Sequence, residues 1–538
     1  MSLTSENEEA GAGAGLPLMP VGRTGGGTRP APPDDYDLTP GQRVLLNGWA
    51  AGLHARTRGF LHHLAVYGAH YARRTGGFVP VSADYIRAEF RQAEREIPAL
   101  VGAGLVEMIR HDRARGLSRE YRLEPSLMAA FHAAAVDDLP DGREVAPGGI
   151  ARAAERATGG AVDAPPAVTV FVDERGAPYP DLVVRALRSV RSSPVDLPAA
   201  FDYLRMLGGA FISAETAHGA DSREFRRAFR QFVQARNSVR AVLQQRPTPT
   251  SGGLHDYDIA LTVQSSGRLG EVGGGLQAAP AALKAAMRGS IPGLQNYDLP
   301  SAQPRLALAR MEAVGLDAPA LARYVLDPDE RGRLGVEAGL GTSGVKRVVI
   351  AALMGASMPT PEQALVAKDR VSQTVLTAVG VDWKEWIARS VPHAERLAVL
   401  PAVSAVIAAA DVLAPLFGEF ARWHGRLRAL RLGDAATGES GPAGFVIRNR
   451  LGMPILVGVV SGRLRSSDLG RLVAHLLQGD ESAYAHSLAA ELDSSGIRVV
   501  GHEHDGLVVM GEISQEVEAR AAAAVGLPYI GMVRKPFV

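Results

Sequence analysis

The spacing of apolar residues divides the first quarter of the chain into short helices followed by a hairpin. Apolar positions recur with helical period over 59–74, 83–90 and 91–105. Two alternating segments, 106–110 and 119–123, then predict the strands of a β-hairpin. The pattern therefore predicts a compact domain of three helices and two strands.

That order of elements, with arginines at the hairpin turn, resembles a winged helix. In that fold the third helix and the hairpin approach duplex DNA, and phosphates would be contacted by Arg91, Arg95, Arg113, Arg115 and Arg119. Winged helices also bind proteins, and a small helical domain with solvated arginines is the alternative interpretation. We predict a winged-helix-like domain over 38–137, preceded by a disordered tail over 1–37 and followed by a linker over 138–175.

A helical region is predicted over 176–256, and one of its helices is rich in arginine. The segment 221–246 carries seven arginines against two acidic residues, while Phe225, Phe229 and Phe232 recur at helical spacing. One face of this helix would pack and the other would face a polyanion or solvent. Arg226 and Arg230 are the candidates for contacting a nucleic-acid template.

One long apolar run, 397–417, approaches the length of a membrane span. Two prolines and Asp411 interrupt it, so we predict a buried helix pair in a soluble protein and no membrane association. The N-terminal segment also lacks a basic region followed by an apolar stretch, as a secretory signal would have. We therefore predict a cytoplasmic protein.

Composition excludes several classes of chemistry. The 538 residues include no cysteine, which excludes disulfides, Cys-ligated zinc, iron-sulfur clusters and thiol nucleophiles. The formal net charge is +1, so nucleic-acid binding would depend on local clusters of basic residues. The length predicts more than one domain.

Four short segments in the second half carry candidate chemistry. The first, 262–277, is a Gly-rich stretch that includes Arg268. In the second, Asp298 ends an apparent strand before a turn and helix, as suits a carboxylate that holds a hard divalent cation. Gln303 and Arg305 follow within the same segment.

The third segment is a helix and the fourth is a helix followed by a hairpin. Lys346, Ile350 and Met354 lie at i, i+4 and i+8 on one helix face, and Arg347 follows the lysine. In the fourth segment Gln478 belongs to a helix predicted from 477 to 493. The alternating residues after it, Ile497-Arg-Val-Val-Gly-His-Glu-His-Asp-Gly-Leu-Val-Val, predict a hairpin with its tip at His504 and Asp505.

Together the four segments resemble the catalytic core of family A nucleic-acid polymerases, which include DNA polymerase I and the single-subunit phage-type RNA polymerases. The resemblance implies an α+β, multidomain right hand. Its thumb would span 176–256, its palm 257–317 and 451–538, and its fingers 318–450. A closing palm strand is expected over 527–533.

The resemblance also implies roles for individual residues. Asp298 and Asp505 would hold two Mg²⁺ or Mn²⁺ ions on adjacent antiparallel strands, and Lys346 would neutralise the triphosphate. The nucleotide would contact Arg268, Gln303, Arg347, Ile350 and Met354. Primer and template would contact Arg305, Gln478, His504, Arg226 and Arg230.

The expected function is template-directed nucleotidyl transfer by a DNA polymerase without a proofreading exonuclease, acting on a DNA primer-template with nucleoside triphosphates. Its architecture suggests a phage, plasmid or other mobile element. Gln303 stands where DNA polymerases of the family carry a glutamate, and Gly506 replaces another. Lys346-Arg347 also resembles the Lys-Arg pair of phage-type RNA polymerases, so an RNA polymerase or primase is an alternative. A DNA-binding replication initiator with an inactive palm is a second alternative.

The residues 502–505, His-Glu-His-Asp, permit two further interpretations. Two histidines two positions apart on a strand could ligate zinc, and a His-Asp pair also occurs in metal phosphohydrolases. The first lacks a further ligand cluster in the sequence. The second requires helices, whereas the flanking valines predict strands.

Overall fold

The computed structural model combines helices and sheets. It describes residues 40–49, 51, 53, 57–65, 79–81, 86, 90, 93–109, 119–137, 139, 169–173, 176–219, 222–250, 252–272, 274–388, 391–429, 440–441, 444–460, 463–503, 505–527 and 530–537. The predicted tail, most of the predicted linker, and the candidate residues Arg91, Arg113, Arg115 and His504 lie outside these ranges.

The N-terminal unit contains a three-stranded antiparallel sheet with its own core. Its elements are α1 (Pro40–Trp49), a helix over 57–65, β1 (Val79–Val81), α2 (Ala93–Gly102), β2 (Val106–Ile109), β3 (Arg119–Leu123) and α3 (Pro125–Asp137), and the strand order is β1-β3-β2. Phe60 packs edge-to-face against Phe90 and Tyr121, with ring centroids 5.7 and 5.5 Å away. The predicted hairpin is present as β2 and β3, and β1 is an additional strand.

The next unit is only partly the helical region expected from the sequence. It comprises α4 (Asp181–Ser189), β4 (Ser192–Val195), α5 (Leu197–His218), α6 (Arg223–Gln244), β5 (Thr248–Pro249) and β6 (His255–Asp258). The region is helical over α4, α5 and α6, and in addition β4, β6 and β5 form a sheet in that order. Pro194 lies inside β4 and cannot belong to a helix interior.

The two long helices of this unit pack through aromatic residues, as the spacing predicted. Phe225, Phe229 and Phe232 of α6 are buried around Phe211 of α5, with ring centroids 5.0 to 6.2 Å from it. Ser222 caps the N-terminus of α6 through its side chain. The arginine-rich face of α6 therefore points away from the core.

A four-stranded antiparallel sheet organises the centre of the molecule. Its strands are β9 (Leu294–Asp298), β15 (Arg498–His502), β16 (Gly506–Met510) and β17 (Val533–Lys535). The elements around it are β7 (Leu261–Val263), β8 (Leu269–Glu271), α7 (Ala281–Arg288), α8 (Ala302–Ala313), α17 (Leu469–Ser494) and α18 (Gln515–Val525). The strand order is β15-β16-β9-β17. This sheet thus joins segments from the middle and the end of the chain.

Two boundaries in this region differ from the expected ones. Helix α17 begins at Leu469, because buried residues continue at helical spacing upstream of position 477. The last strand begins at Val533 instead of lying over 527–533. At Leu527 the chain still completes the end of α18, where the Leu527 N–H donates to the Ala522 carbonyl.

The intervening segment is mainly helical. It contains α9 (Pro319–Leu326), α10 (Glu330–Glu337), α11 (Gly341–Leu353), α12 (Pro361–Ala364), α13 (Arg370–Ala378), α14 (Trp383–Ala388), α15 (His393–Ala409), a 3₁₀ turn (Ala410–Leu413) and α16 (Ala414–Ala429), followed by β10 (Ser440–Gly441), β11 (Gly444–Arg448), β12 (Pro454–Val457), β13 (Val459–Val460), β14 (Arg463–Leu464) and a 3₁₀ turn (Ser466–Asp468). Helix α11 packs against α8, which follows β9 directly. The segment is thereby connected to the central sheet.

The apolar run at 397–417 is a helix pair, but the prediction that it is buried was wrong. Within the described residues, His393–Ala429 is the one helical stretch long and apolar enough to cross a membrane, and 17% of its most apolar window is buried. Leu397 is 48% exposed. Within α15 only Val403 is buried, whereas Ala410, Leu413 and Leu416 are buried at the turn into α16 and on α16 itself.

Candidate active site

The structure places Asp298 and Asp505 on neighbouring strands. Asp298 is the last residue of β9, and Asp505 immediately precedes β16, whose first residue Gly506 pairs with Asp298. The Leu299 N–H donates to the Asp505 carbonyl over 2.8 Å, which fastens the two strand ends together. Antiparallel pairing therefore brings the two acids from distant parts of the chain to the same edge of the sheet.

The two carboxyl groups are in contact and influence each other. Desolvation, the Asp298 charge and a side-chain hydrogen bond to Asp298 raise the pKa of Asp505 to about 6. Two carboxylates this close repel each other when both are ionised, so a cation or a shared proton between them is favoured. Paired carboxylate oxygens are the ligand type that hard cations prefer.

A lysine from the C-terminal strand contacts this pair. Strand β17 lies on the other side of β9, with Val533 opposite Asp298. The Lys535 ammonium forms an ion pair with the Asp298 carboxylate, and it also lowers the pKa of Asp505. Lys535 is 52% exposed and Asp298 19% exposed at the side chain, so this contact is open to exchange with solvent ions.

A third acid and a second base lie beside the aspartates. Arg268 Nη2 donates to Glu481 Oε1 over 2.5 Å, and the Glu481 side chain is only 2% exposed. Burial raises the pKa of Glu481 to about 7, against the Arg268 charge and together with the charges of Asp505 and Asp298. The site thus holds three carboxyl groups and two basic side chains.

Helix α17 and the β7–β8 hairpin hold this ion pair in place. Glu481 lies in the middle of α17, where its neighbours along the helix are buried. Arg268 follows Gly267, whose positive φ of 90° forms the turn into β8. The His486 ring, one turn beyond Glu481, hydrogen-bonds the Gly267 carbonyl at 2.8 Å and so ties the turn to the helix.

The hairpin that carries Asp505 rests on buried histidines. The rings of His486 and His502 meet edge-to-face with centroids 5.5 Å apart. Burial lowers the pKa of His486 to about 4 and that of His502 to about 3. His502, the last residue of β15, is one of the two histidines of the alternative zinc interpretation, and its ring packs against His486.

A second group of charged residues surrounds Arg288. Arg288 is fully buried, donates to Ser193 over 2.8 Å, and lies 3.5 Å from Glu503, which also pairs with Lys284. Burial raises the pKa of Glu271 to about 7, although the Arg288 charge opposes it. These contacts tie the hairpin tip to α7 and β4.

The predicted nucleotide-binding helix is α11, and it presents its candidates on different sides. Lys346 is exposed, Ile350 is half-buried, and Met354 is the half-buried residue that ends the helix. Arg347 instead faces α13 and α14, where it lines a cavity of about 110 Å³ with Arg370, Gln373, Thr374, Trp383 and Lys384. The structure therefore separates Arg347 from the face that carries Lys346.

The remaining candidates lie on α8, α17 and α6. Gln303 and Arg305 are half-buried in the first turn of α8, and burial lowers the pKa of Arg305. Gln478 is half-buried on α17, one turn from Glu481. On α6, Arg230 is exposed, and its Nε donates to the Arg226 carbonyl over 3.1 Å.

Sequence reasoning missed Glu481 and Lys535. The signal for Glu481 was present as two successive acids, Asp480 and Glu481, in the middle of a long helix with many apolar residues. Asp480 is fully buried and pairs with Arg310 and Arg450 at 2.5 and 2.8 Å, which is a structural role. No local signal identified Lys535, because its contact depends on the pairing of β17 with β9.

The residues at this centre fit a hard divalent cation in their chemistry. Two contacting carboxyl groups supply the oxygen ligands that Mg²⁺ and Mn²⁺ prefer. Within the described part of the chain, no group of three or more His, Cys, Asp or Glu side chains could hold a metal ion. Other ligands would come from substrate and solvent, as is usual for Mg²⁺.

Comparisons with known proteins give limited information. No protein-family profile matches the chain, and no curated protein sequence matches it. Among solved structures, the chain is similar to the POL domain of Pol1 from M. smegmatis in complex with DNA primer-template and dNTP. The TM-score is 0.37 and the sequence identity 14%, over 93% of this chain and 89% of that chain. A likeness at this level carries no argument about function.

Proposed function

We propose that the chain is a template-directed nucleotidyltransferase that extends a nucleic-acid primer with nucleoside triphosphates. The observation that carries the proposal is the contact between Asp298 and Asp505 at paired strand ends, although they come from distant parts of the sequence. The four segments that resemble family A polymerases supply the reaction class. The arginine-rich face of α6 supports a polyanionic partner.

In this proposal Asp298 and Asp505 hold two Mg²⁺ or Mn²⁺ ions with their carboxylate oxygens. When bound, such ions lower the pKa of an attacking hydroxyl and stabilise the charge on the leaving pyrophosphate. The ion pair between Lys535 and Asp298 would break when a cation binds to Asp298. The exposed Lys346 ammonium neutralises the triphosphate, which requires a flexible cation near the phosphates.

The experiment is extension of a labelled primer on a template with Mg²⁺ or Mn²⁺, with dNTPs and NTPs in parallel. The variants Asp298→Asn and Asp505→Asn keep the size of each side chain and remove its charge. Loss of template-dependent extension in both variants, with folding unchanged by circular dichroism, is expected. Undiminished extension by either variant, or no product from the unsubstituted chain under any combination, would contradict the proposal.

A second candidate is RNA synthesis by an RNA polymerase or primase. Gln303 supports it, because its neutral amide stands in the first turn of α8 where the resembling DNA polymerases carry a glutamate near the sugar. The same extension assay distinguishes the candidates. Preference for NTPs, or synthesis on unprimed template, would favour RNA synthesis over DNA synthesis.

A further inference from the structure

The carboxylate centre has an excess of negative charge that two basic residues only partly offset. Asp298, Asp505 and Glu481 provide three carboxyl groups, whereas Arg268 and Lys535 provide two positive charges. Lys535 pairs with Asp298 and Arg268 pairs with Glu481. The two basic side chains thus have different partners although both act on Asp505.

The third acid comes from helix α17 because the hairpin has no room for one. Gly506 lies directly opposite Asp298, and a Cβ atom added there would be 2.1 Å from the Tyr297 carbonyl oxygen. No side chain fits at this position without separating β16 from β9. Glu481 is a buried residue of this helix, and the charges of Asp505 and Asp298 act on its carboxyl group.

Arg268 pairs with Glu481, and its charge also acts on Asp505. Its guanidinium is 14% exposed, donates to Glu481 through one nitrogen, and lies close enough to Asp505 to favour the ionised form of that carboxyl. The Nε of Arg268 is buried and has no hydrogen-bond partner within the described residues. A guanidinium that is always charged and incompletely paired would turn to the next carboxylate if Glu481 lost its charge.

We infer that Glu481 is a positioning residue that holds the Arg268 guanidinium and thereby keeps it from neutralising the Asp298–Asp505 pair. This inference rests on the proposed function for the identification of that pair as cation ligands. It assigns Glu481 no direct contact with the cation. With Arg268 paired to Glu481, the aspartate oxygens stay available to a divalent cation although Arg268 is nearby.

The test is a calorimetric titration of the full chain with Mn²⁺. Neither nucleotide nor DNA is present. Four proteins are compared: the unsubstituted chain, Glu481→Gln, Arg268→Gln and the double variant. Glu481→Gln should weaken Mn²⁺ binding about tenfold or more, because a freed guanidinium competes with the ion at short range. Arg268→Gln should bind at least as tightly as the unsubstituted chain, and the double variant should recover to within about threefold of it.

A matched control comes from another buried acid that pairs with an arginine. Glu330 forms an ion pair with Arg333 on α10, and the charges acting on it come from arginines. Glu330→Gln should leave Mn²⁺ affinity unchanged. It reports whether loss of any buried glutamate disturbs the site through general destabilisation.

Several results would overturn the inference. If the double variant binds Mn²⁺ as weakly as Glu481→Gln, Glu481 is itself a ligand; if Glu481→Gln binds normally, Arg268 is not a competitor. If Glu481→Gln does not fold, Arg268→Gln decides, since weaker binding by this variant contradicts the inference. Normal binding by the unsubstituted chain without primer extension would contradict the proposed function alone, and absence of Mn²⁺ binding would contradict both.

Discussion

Acid should destabilise the central sheet through two buried histidines, His502 in the Asp505 hairpin and His486 on the adjacent helix α17. His486 and His502 are 1% and 3% exposed, and their pKa values are lowered to about 4 and about 3 from 6.5. Between pH 6.5 and pH 4 the unfolded chain therefore binds more protons than the folded chain. The stability contributed by the two neutral histidines is fully present above pH 6.5 and is lost as the pH falls towards 4.

The size of this effect follows from the linkage between proton binding and unfolding. Each pH unit below 6.5 costs about 1.4 kcal/mol for a histidine that stays neutral in the folded state. At pH 5 this amounts to about 2 kcal/mol for each residue and about 4 kcal/mol for the pair. The cost is a large fraction of the stability of a typical protein.

Comparison with a variant isolates this contribution from other titrating groups. Glu271 and Glu481, whose pKa values are raised to about 7, act in the opposite direction but are present in both proteins. We propose the double variant His486→Gln and His502→Leu. The glutamine amide replaces the donor to the Gly267 carbonyl, and leucine removes a buried ring nitrogen that has no partner within the described residues.

The measurement is urea-induced unfolding followed by circular dichroism at pH 8, 7, 6 and 5. From pH 8 to pH 5, the unsubstituted chain should lose about 4 kcal/mol more than the double variant. The exposed His393→Gln substitution is the control and should follow the unsubstituted chain. The reasoning is refuted if the curves of unfolding free energy against pH for the unsubstituted chain and the double variant stay parallel to within about 1 kcal/mol.

Three further predictions concern the site and its support. Lys535→Met should tighten Mn²⁺ binding about fivefold in calorimetry, because it removes an exposed ion pair from Asp298, and unchanged affinity would contradict this. Gly506→Ala should lower the free energy of unfolding, measured in urea, by about 3 kcal/mol, because the added methyl group would collide with a backbone carbonyl. The absence of a measurable loss of stability would contradict the pairing of Gly506 with Asp298. Lys346→Ala should raise the KM for nucleotide about tenfold or more. Arg347→Ala should change the KM less than about threefold, because Arg347 faces α13 and α14. Equal effects of the two substitutions would contradict this difference in position.

The parts of the site predicted from sequence are those set by local pattern. Alternating apolar residues identified the hairpin around Asp505, and the strand before Asp298 ends at a turn that leads into a helix, as observed. Helical spacing likewise identified the buried phenylalanine face of α6. In each case the determining residues are close together in the chain.

The parts that sequence did not reveal depend on contacts between distant segments. The pairing of β17 with β9 brings Lys535 to Asp298, and the packing of α17 on the β7–β8 hairpin brings Glu481 to Arg268. The exposure of α15 could not be read from its composition either. An apolar helix is predicted to be buried, but burial depends on which neighbours are available to cover it.

The charge of the carboxylate centre is a property of the fold and not of the composition. The chain has a formal net charge of +1, yet three acids and two bases from five separate elements or their ends meet at one sheet edge. Like charges meet there only because the backbone pairing of β16 with β9 offsets their repulsion, and because each base partly neutralises them. The remaining negative charge favours a cation at the aspartate pair. Since Arg268 is held by Glu481, the more exposed Lys535 is the base that this cation would displace.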